Sequence, residues 1–191
     1  MKKMTTQEIN ADNSTNFGQK LIDGNIDINS TINAGRYKGC PVAFWLAHTT
    51  EGTQVIFDNP DIANNISTGT LNHVIQEGEY KGESCVFWLC ASSDGLKVLS
   101  KYQHLIDTIS EASLNHIIKS GNDKGESAAI WLCSTSIGGE ILAKNPKLAE
   151  KLNETTLNHI IKSGNDKGES CVYWLCASSE GRKALSKHQY L

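Results

Sequence analysis

Cys40, His48 and Glu51 are of the three types that covalent catalysis uses, a nucleophile, a base and an orienting carboxylate, and they share one short stretch. Closeness along a chain does not bring side chains together, and no base is identifiable in the sequence beside Cys40. The expected function is therefore noncatalytic, with an enzyme using Cys40 and His48 in a cleft as the alternative. No glycine-rich phosphate loop, Gly-x-Ser-x-Gly, His-Glu-x-x-His or calcium loop occurs. Neither a cofactor nor a metal is expected.

The other chemically able residues belong to a ladder. Trp-Leu recurs at Trp45, Trp88, Trp131 and Trp174, each preceded by Lys-Gly at Lys38, Lys81, Lys124 and Lys167, so the chain repeats with a step of 43 residues. Asn29, Asn72, Asn115 and Asn158 hold one position, and His73, His116 and His159 the next, with Ser30 in the first copy. Repeated polar residues of this kind satisfy backbone groups between turns of a stack. Stacked histidines would lie about ten ångströms apart, too far to share one ion. The tryptophans read as the core of each unit.

Cysteine obeys the same rule. Cys90, Cys133 and Cys176 share a position with Ala47, and Cys85 and Cys171 share one with Val42 and Ala128, so these thiols serve as small buried apolar groups. Cys40 stands outside this pattern, where later copies have Glu83, Glu126 and Glu169. Those glutamates are expected to dilute the positive field of the neighbouring lysine row.

These positions need helices to hold them. In the second copy, residues 70–78 read as a short helix that Thr70 caps and Gly78 ends, with Ser113/Gly121 and Thr156/Gly164 at the same places. The run 82–91 is apolar nearly all round, which fits a central helix or a buried strand. Pro41 in place of Ser84, and Ala128-Ala129 in the third copy, favour helix, the proline sitting in its first turn. A turn-rich Ser-x-x-Gly break follows, then two short helices, the second begun by Pro60 or Pro146 after a capping Asn59 or Asn145. No unit buries its own apolar faces, so the units must stack. The expected fold is all-α, an α-solenoid of four helical repeats over 28–70, 71–113, 114–156 and a shortened 157–191. Residues 1–27 are expected to form a flexible lead and one capping helix carrying Phe17, Leu21, Ile22 and Ile26.

The chain has 191 residues, 39% hydrophobic and 20% charged, with a formal charge of −3, which suits a folded, soluble protein and gives no basic footprint for nucleic acid. Its N-terminus has two lysines but no apolar stretch behind them, so neither a secretory signal nor a membrane anchor is expected. The expected location is the cytoplasm of the producing cell.

Gly39-Cys40-Pro41-Val42-Ala43-Phe44-Trp45-Leu46-Ala47 resembles the opening of an ankyrin repeat, Gly-x-Thr-Pro-Leu-His-x-Ala. The period is ten residues longer, an extra Leu-Asn-His helix is added, and the β-turn finger is not recognisable. With Gly-Glu-Ser, Trp-Leu, Ser-x-Gly, Asn-Pro and Leu-Asn, the pattern over 28–191 is similar to degenerate ankyrin-like repeats in effectors of intracellular bacteria such as Legionella and Coxiella. That resemblance implies a module that binds another protein, delivered into a host cell by a route that reads no signal peptide. It implies no catalytic residue.

Positions that vary between copies are where such a stack reads a partner. They fall at Arg36-Tyr37, Glu79-Tyr80, Asn122-Asp123 and Asn165-Asp166, and at Thr53-Gln54, Leu96-Lys97, Gly139-Glu140 and Arg182-Lys183. The partner-binding residues expected from the first group are Tyr37, Tyr80, Arg36, Glu79, Asp123 and Asp166, with the tyrosines as anchors. A structural or self-assembling piece of a larger repeat protein is the remaining alternative.

Overall fold

The structure is a computed structural model that describes Leu21, Asp23, residues 26–162 and residues 167–188. These residues hold fourteen helices and, apart from one bridge between Thr31 and Pro41, no extended pairing that qualifies as a strand. The first group is α1 Val42–His48, α2 Thr50–Asp58, α3 Pro60–Asn65 and α4 Thr68–Leu71. The second is α5 Cys85–Ala91, α6 Ser93–Lys101, α7 Gln103–Thr108 and α8 Glu111–Leu114. The third is α9 Ala128–Ser134, α10 Ser136–Lys144, α11 Pro146–Ala149 and α12 Glu154–Leu157, followed by α13 Cys171–Ala177 and α14 Ser179–Lys187. Most of the expected N-terminal lead lies outside the described residues, but Leu21 and Ile26 are buried.

The apolar run that suited either helix or strand is helical in α1, α5, α9 and α13. Each of the last three starts from a serine whose hydroxyl accepts an amide N–H: Ser84 from Phe87 at 3.1 Å, Ser127 from Ile130 at 3.3 Å and Ser170 from Tyr173 at 3.3 Å. Pro41 takes that same cap position, extended at φ −64° and ψ 154°, and not the first helical turn expected of it.

The break after the central helix is one residue long. Ser92 ends α5 and caps α6, its hydroxyl accepting the Gly95 N–H at 3.0 Å, and Thr49, Thr135 and Ser178 do the same for Gly52, Gly138 and Gly181. The glycine therefore lies inside the next helix, not in a turn. A Cβ on Gly95 would come within 2.6 Å of the Leu89 backbone, so the side chain is missing to let two helices touch.

The helix expected over 70–78 is a single turn, α4, which Ser67 caps in place of Thr70. Ser110 and Asn153 take the cap in the later copies, in place of Ser113 and Thr156. From Asn72 the chain leaves helical geometry and folds back as a hairpin, with Ile75 N–H donating to the Glu83 carbonyl at 2.9 Å and Gly82 N–H to the Ile75 carbonyl at 2.8 Å. Ile32/Cys40, Ile118/Glu126 and Ile161/Glu169 repeat that pairing. This hairpin was not read from the sequence. Its turns rest on Gly78 and Gly82 at φ 86° and 95°, and an amphipathic reading of Leu71, Val74 and Ile75 hid it.

Equivalent helices of successive groups pack on one another, α1 on α5, α5 on α9 and α9 on α13, with α2, α6, α10 and α14 in parallel succession. Leu46, Leu89, Leu132 and Leu175 are all buried in this core, each contributing about 1.5–3 kcal/mol through apolar burial. The asparagines stitch the groups together as the ladder argument expects. Asn72 donates to the Thr108 carbonyl at 2.8 Å and accepts the Ser110 N–H at 2.7 Å, while Asn29 does so with Asn65 and Ser67, and Asn115 with Lys151 and Asn153. Asn59 and Asn145 stand at the starts of α3 and α11 but turn their amides backward, onto the Val55 and Ile141 carbonyls, at 2.8 and 2.7 Å.

Candidate functional site

The hairpins carry residues 36–37, 79–80 and 122–123 to one edge of the helix stack, beside the tryptophan-bearing helices. At the joint of the first two groups this edge is a packed cluster. The rings of Tyr37 and Tyr80 stack with centroids 5.0 Å apart and planes 9° from parallel. Phe44 lies 5.2 Å from Tyr80, and His48 meets Tyr80 at 5.1 Å and Trp88 at 4.3 Å, edge to face. Tyr37 and His48 share a hydrogen bond of 3.1 Å between Oη and Nδ1. Burial, and then the Arg36 charge, lower the His48 pKa, so the ring is neutral at neutral pH.

Arg36 and Glu79 close the cluster from outside. Two nitrogens of the guanidinium reach Glu79 Oε1, at 3.0 and 2.8 Å, and the group lies 5.7 and 5.3 Å from the centroids of Tyr37 and Tyr80. The tyrosines are 8% and 4% exposed. They are therefore interior packing, not the exposed anchors expected of them, because stacking across the 43-residue step buries both rings under the ion pair. Of the expected residues Arg36 and Glu79 remain on the surface, Asp123 is half-buried, and Asp166 lies outside the described residues.

Sequence reasoning missed the glutamates beneath Trp88 and Trp131. Trp88 Nε1 donates to Glu83 and Trp131 Nε1 to Glu126, both at 2.8 Å. Glu83 is 6% exposed, so it does not dilute the outer lysine field as expected. Burial, together with the Asp123 and Glu79 carboxylates, pushes Glu83 up to about 7 against the opposing pull of the Trp88 N–H. Burial also raises Asp123, against an opposing pull from the neighbouring Glu83. The signal was available in the constant spacing of five from Glu83, Glu126 and Glu169 to their tryptophans.

The Cys40, His48 and Glu51 set does not assemble into a site that activates the thiol. Cys40 is buried, and burial followed by the Glu83 charge pushes it up to about 12, which disfavours the reactive thiolate. His48 spends Nδ1 on Tyr37, and Glu51 is exposed at the start of α2. Five cysteines are buried thiols and Cys176 is exposed. Among the described residues no group of three or more His, Cys, Asp or Glu side chains is placed to hold a metal ion.

What remains on this edge is a strip. Trp45, Trp88, Trp131 and Trp174 are each half-buried, and Lys38, Lys81, Lys124 and Lys167 on the hairpins beside them are exposed. Among the described residues no helix is long and apolar enough to cross a membrane. No protein-family model, no curated protein and no solved structure matches this chain.

Proposed function

We propose that the chain is a stack of four helical repeats, an α-solenoid, that works as a noncatalytic protein-binding module, and that its contact surface is the strip of tryptophan edges and hairpin lysines. The observation that carries this reading is the half-exposure of all four tryptophans at one register. The core needs only part of each ring, and the indole N–H groups of Trp88 and Trp131 are held by acids beneath them, so rigid aromatic edges face outward at no further ordering cost. Inward-turned Glu83 leaves the lysine row facing the partner, which favours acidic partner segments over basic ones. Tyr37, Tyr80, Arg36 and Glu79 shape the strip at the first joint.

Capturing partners on the tagged chain from lysates of the producing cell and of a host cell tests this, beside a Lys81→Glu/Lys124→Glu variant. Both lysines are exposed, so the variant keeps its fold. A stoichiometric partner that the variant loses supports the reading. Equal retention by both chains, or no retained protein from either lysate, refutes it.

A further inference from the structure

Ala91 and Ser134 stand one helical turn beyond Trp88 and Trp131, on the same face of α5 and α9, and both are half-buried. In the first group that position holds His48, whose ring meets Trp88 of the next group at 4.3 Å, edge to face. His48 thus fills the space between the first two tryptophan registers. Ala91 and Ser134 put no side chain of that size in the equivalent places, so tryptophan edge and small residue alternate along the stack beyond the first joint.

The chemistry of this surface is one-sided. Trp88 and Trp131 turn their indole N–H groups inward to Glu83 and Glu126, at 2.8 Å, so neither keeps a donor for a partner, and what they expose is apolar ring. Lys38, Lys81 and Lys124 are exposed on the hairpins with no ion-pair partner among the described residues. Lys97, Lys144 and Lys183 on the long helices are instead paired, with Asp94, Glu140 and Glu180. The strip therefore suits a partner that brings oxygen acceptors for the lysines and rings that need no hydrogen bond for the tryptophans.

Spacing narrows the choice further. Equivalent helices pack directly on one another, which sets the step between tryptophans at about 8–10 Å. A β-strand covers that step in about three residues, but its third residue points to the opposite face. An α-helix returns to the same face after about 10.5 Å, yet keeps its backbone carbonyls for itself. Polyproline II returns in a single turn of three residues and about 9.3 Å, and its carbonyls carry no internal hydrogen bonds.

We infer that the strip takes an acidic segment in polyproline II conformation, with a proline at every third residue over successive tryptophan edges and carboxylates between them facing the hairpin lysines. This rests on the strip being the contact surface and adds the shape and charge of the segment it holds. His48 marks where the segment ends, at the first joint.

Pro-Glu-Glu repeated four times is the probe, and its binding to the full chain is read by tryptophan fluorescence and calorimetry at low salt. It should bind, and a peptide of the same composition with its prolines in one block should bind about tenfold weaker or worse. Ala91→His, which places at the second joint the ring that His48 places at the first, should weaken binding by a similar factor, as should Lys81→Glu/Lys124→Glu. Ser134→His replaces Ala91→His if circular dichroism shows that variant unfolded. No binding up to roughly 1 mM peptide, equal binding of the two peptides, or binding untouched by the histidine or the lysine variant each overturns the inference. The strip itself is judged separately, by lysate capture: a partner held there while these peptides fail removes the polyproline segment and keeps the surface.

Discussion

Glu83 accepts the indole N–H of Trp88 from five residues back, at 2.8 Å, and does so buried beside Asp123, a residue of the next group. One carboxyl thus fixes a tryptophan edge and sits at the joint between two groups. Its burial makes the joint sensitive to protons. With the folded pKa raised to about 7 from an ordinary 4.5, the folded state binds more protons than the unfolded chain between those values. Stability from this group is then fully present below about 4.5 and falls as pH rises through about 7.

Glu83→Gln mimics the protonated acid and keeps an oxygen for Trp88. Between pH 5 and pH 8 the wild type should lose about 1–2 kcal/mol more unfolding free energy than this variant does, read by urea denaturation at each pH. Parallel pH profiles for the two proteins would show that Glu83 is charged in the folded state.

The asparagine stitches predict unequal costs for one substitution. Asn72→Ala removes three bonds to the following group, with Thr108, Ser110 and Ser113, and should cost about 2 kcal/mol or more, whereas Asn158→Ala loses a bond to the Glu154 carbonyl within its own turn and should cost under about 1 kcal/mol. Equal losses in chemical denaturation would mean that the ladder does not couple the groups.

Two glycines separate close approach from backbone freedom. Gly95→Ala forces a Cβ to within 2.6 Å of the Leu89 backbone and should cost about 3 kcal/mol or more. Gly78→Ala meets no atom within 4 Å, and its φ of 86° should cost about 1 kcal/mol. Thermal melts that rank them the other way would contradict the helix joint.

The repeat step, the central helix, the buried cysteines and the asparagine ladder were legible in the sequence because each is a periodic fact, and periodicity survives without coordinates. The hairpin was not, since Leu71, Val74 and Ile75 keep helical spacing while the actual pairing of Ile75 with Glu83 spans seven intervening residues. The role of Tyr37 and Tyr80 was also hidden. Variation between copies looked like partner reading, but in these two places it reflects one ring stacking on the other across the step. Glu83 was misplaced because a glutamate beside a lysine reads as solvated until a buried indole is seen to need its oxygen.

Thiol reactivity separates the binding module from the cleft enzyme. One fast-reacting thiol per chain is expected at Cys176, and Cys176→Ser should leave only slow reaction, because the other five are buried and burial pushes Cys40 and Cys90 up to about 12. A second fast thiol mapped to Cys40 would revive the nucleophile reading.

Hydroxyl-radical footprinting of the four tryptophans, in the free chain and in complex with the captured partner, tests the central claim most directly. Oxidation of Trp45, Trp88, Trp131 and Trp174 should fall together in the complex while that of exposed Tyr173 is unchanged. Tryptophan oxidation unchanged by a bound partner would contradict the strip as the contact surface.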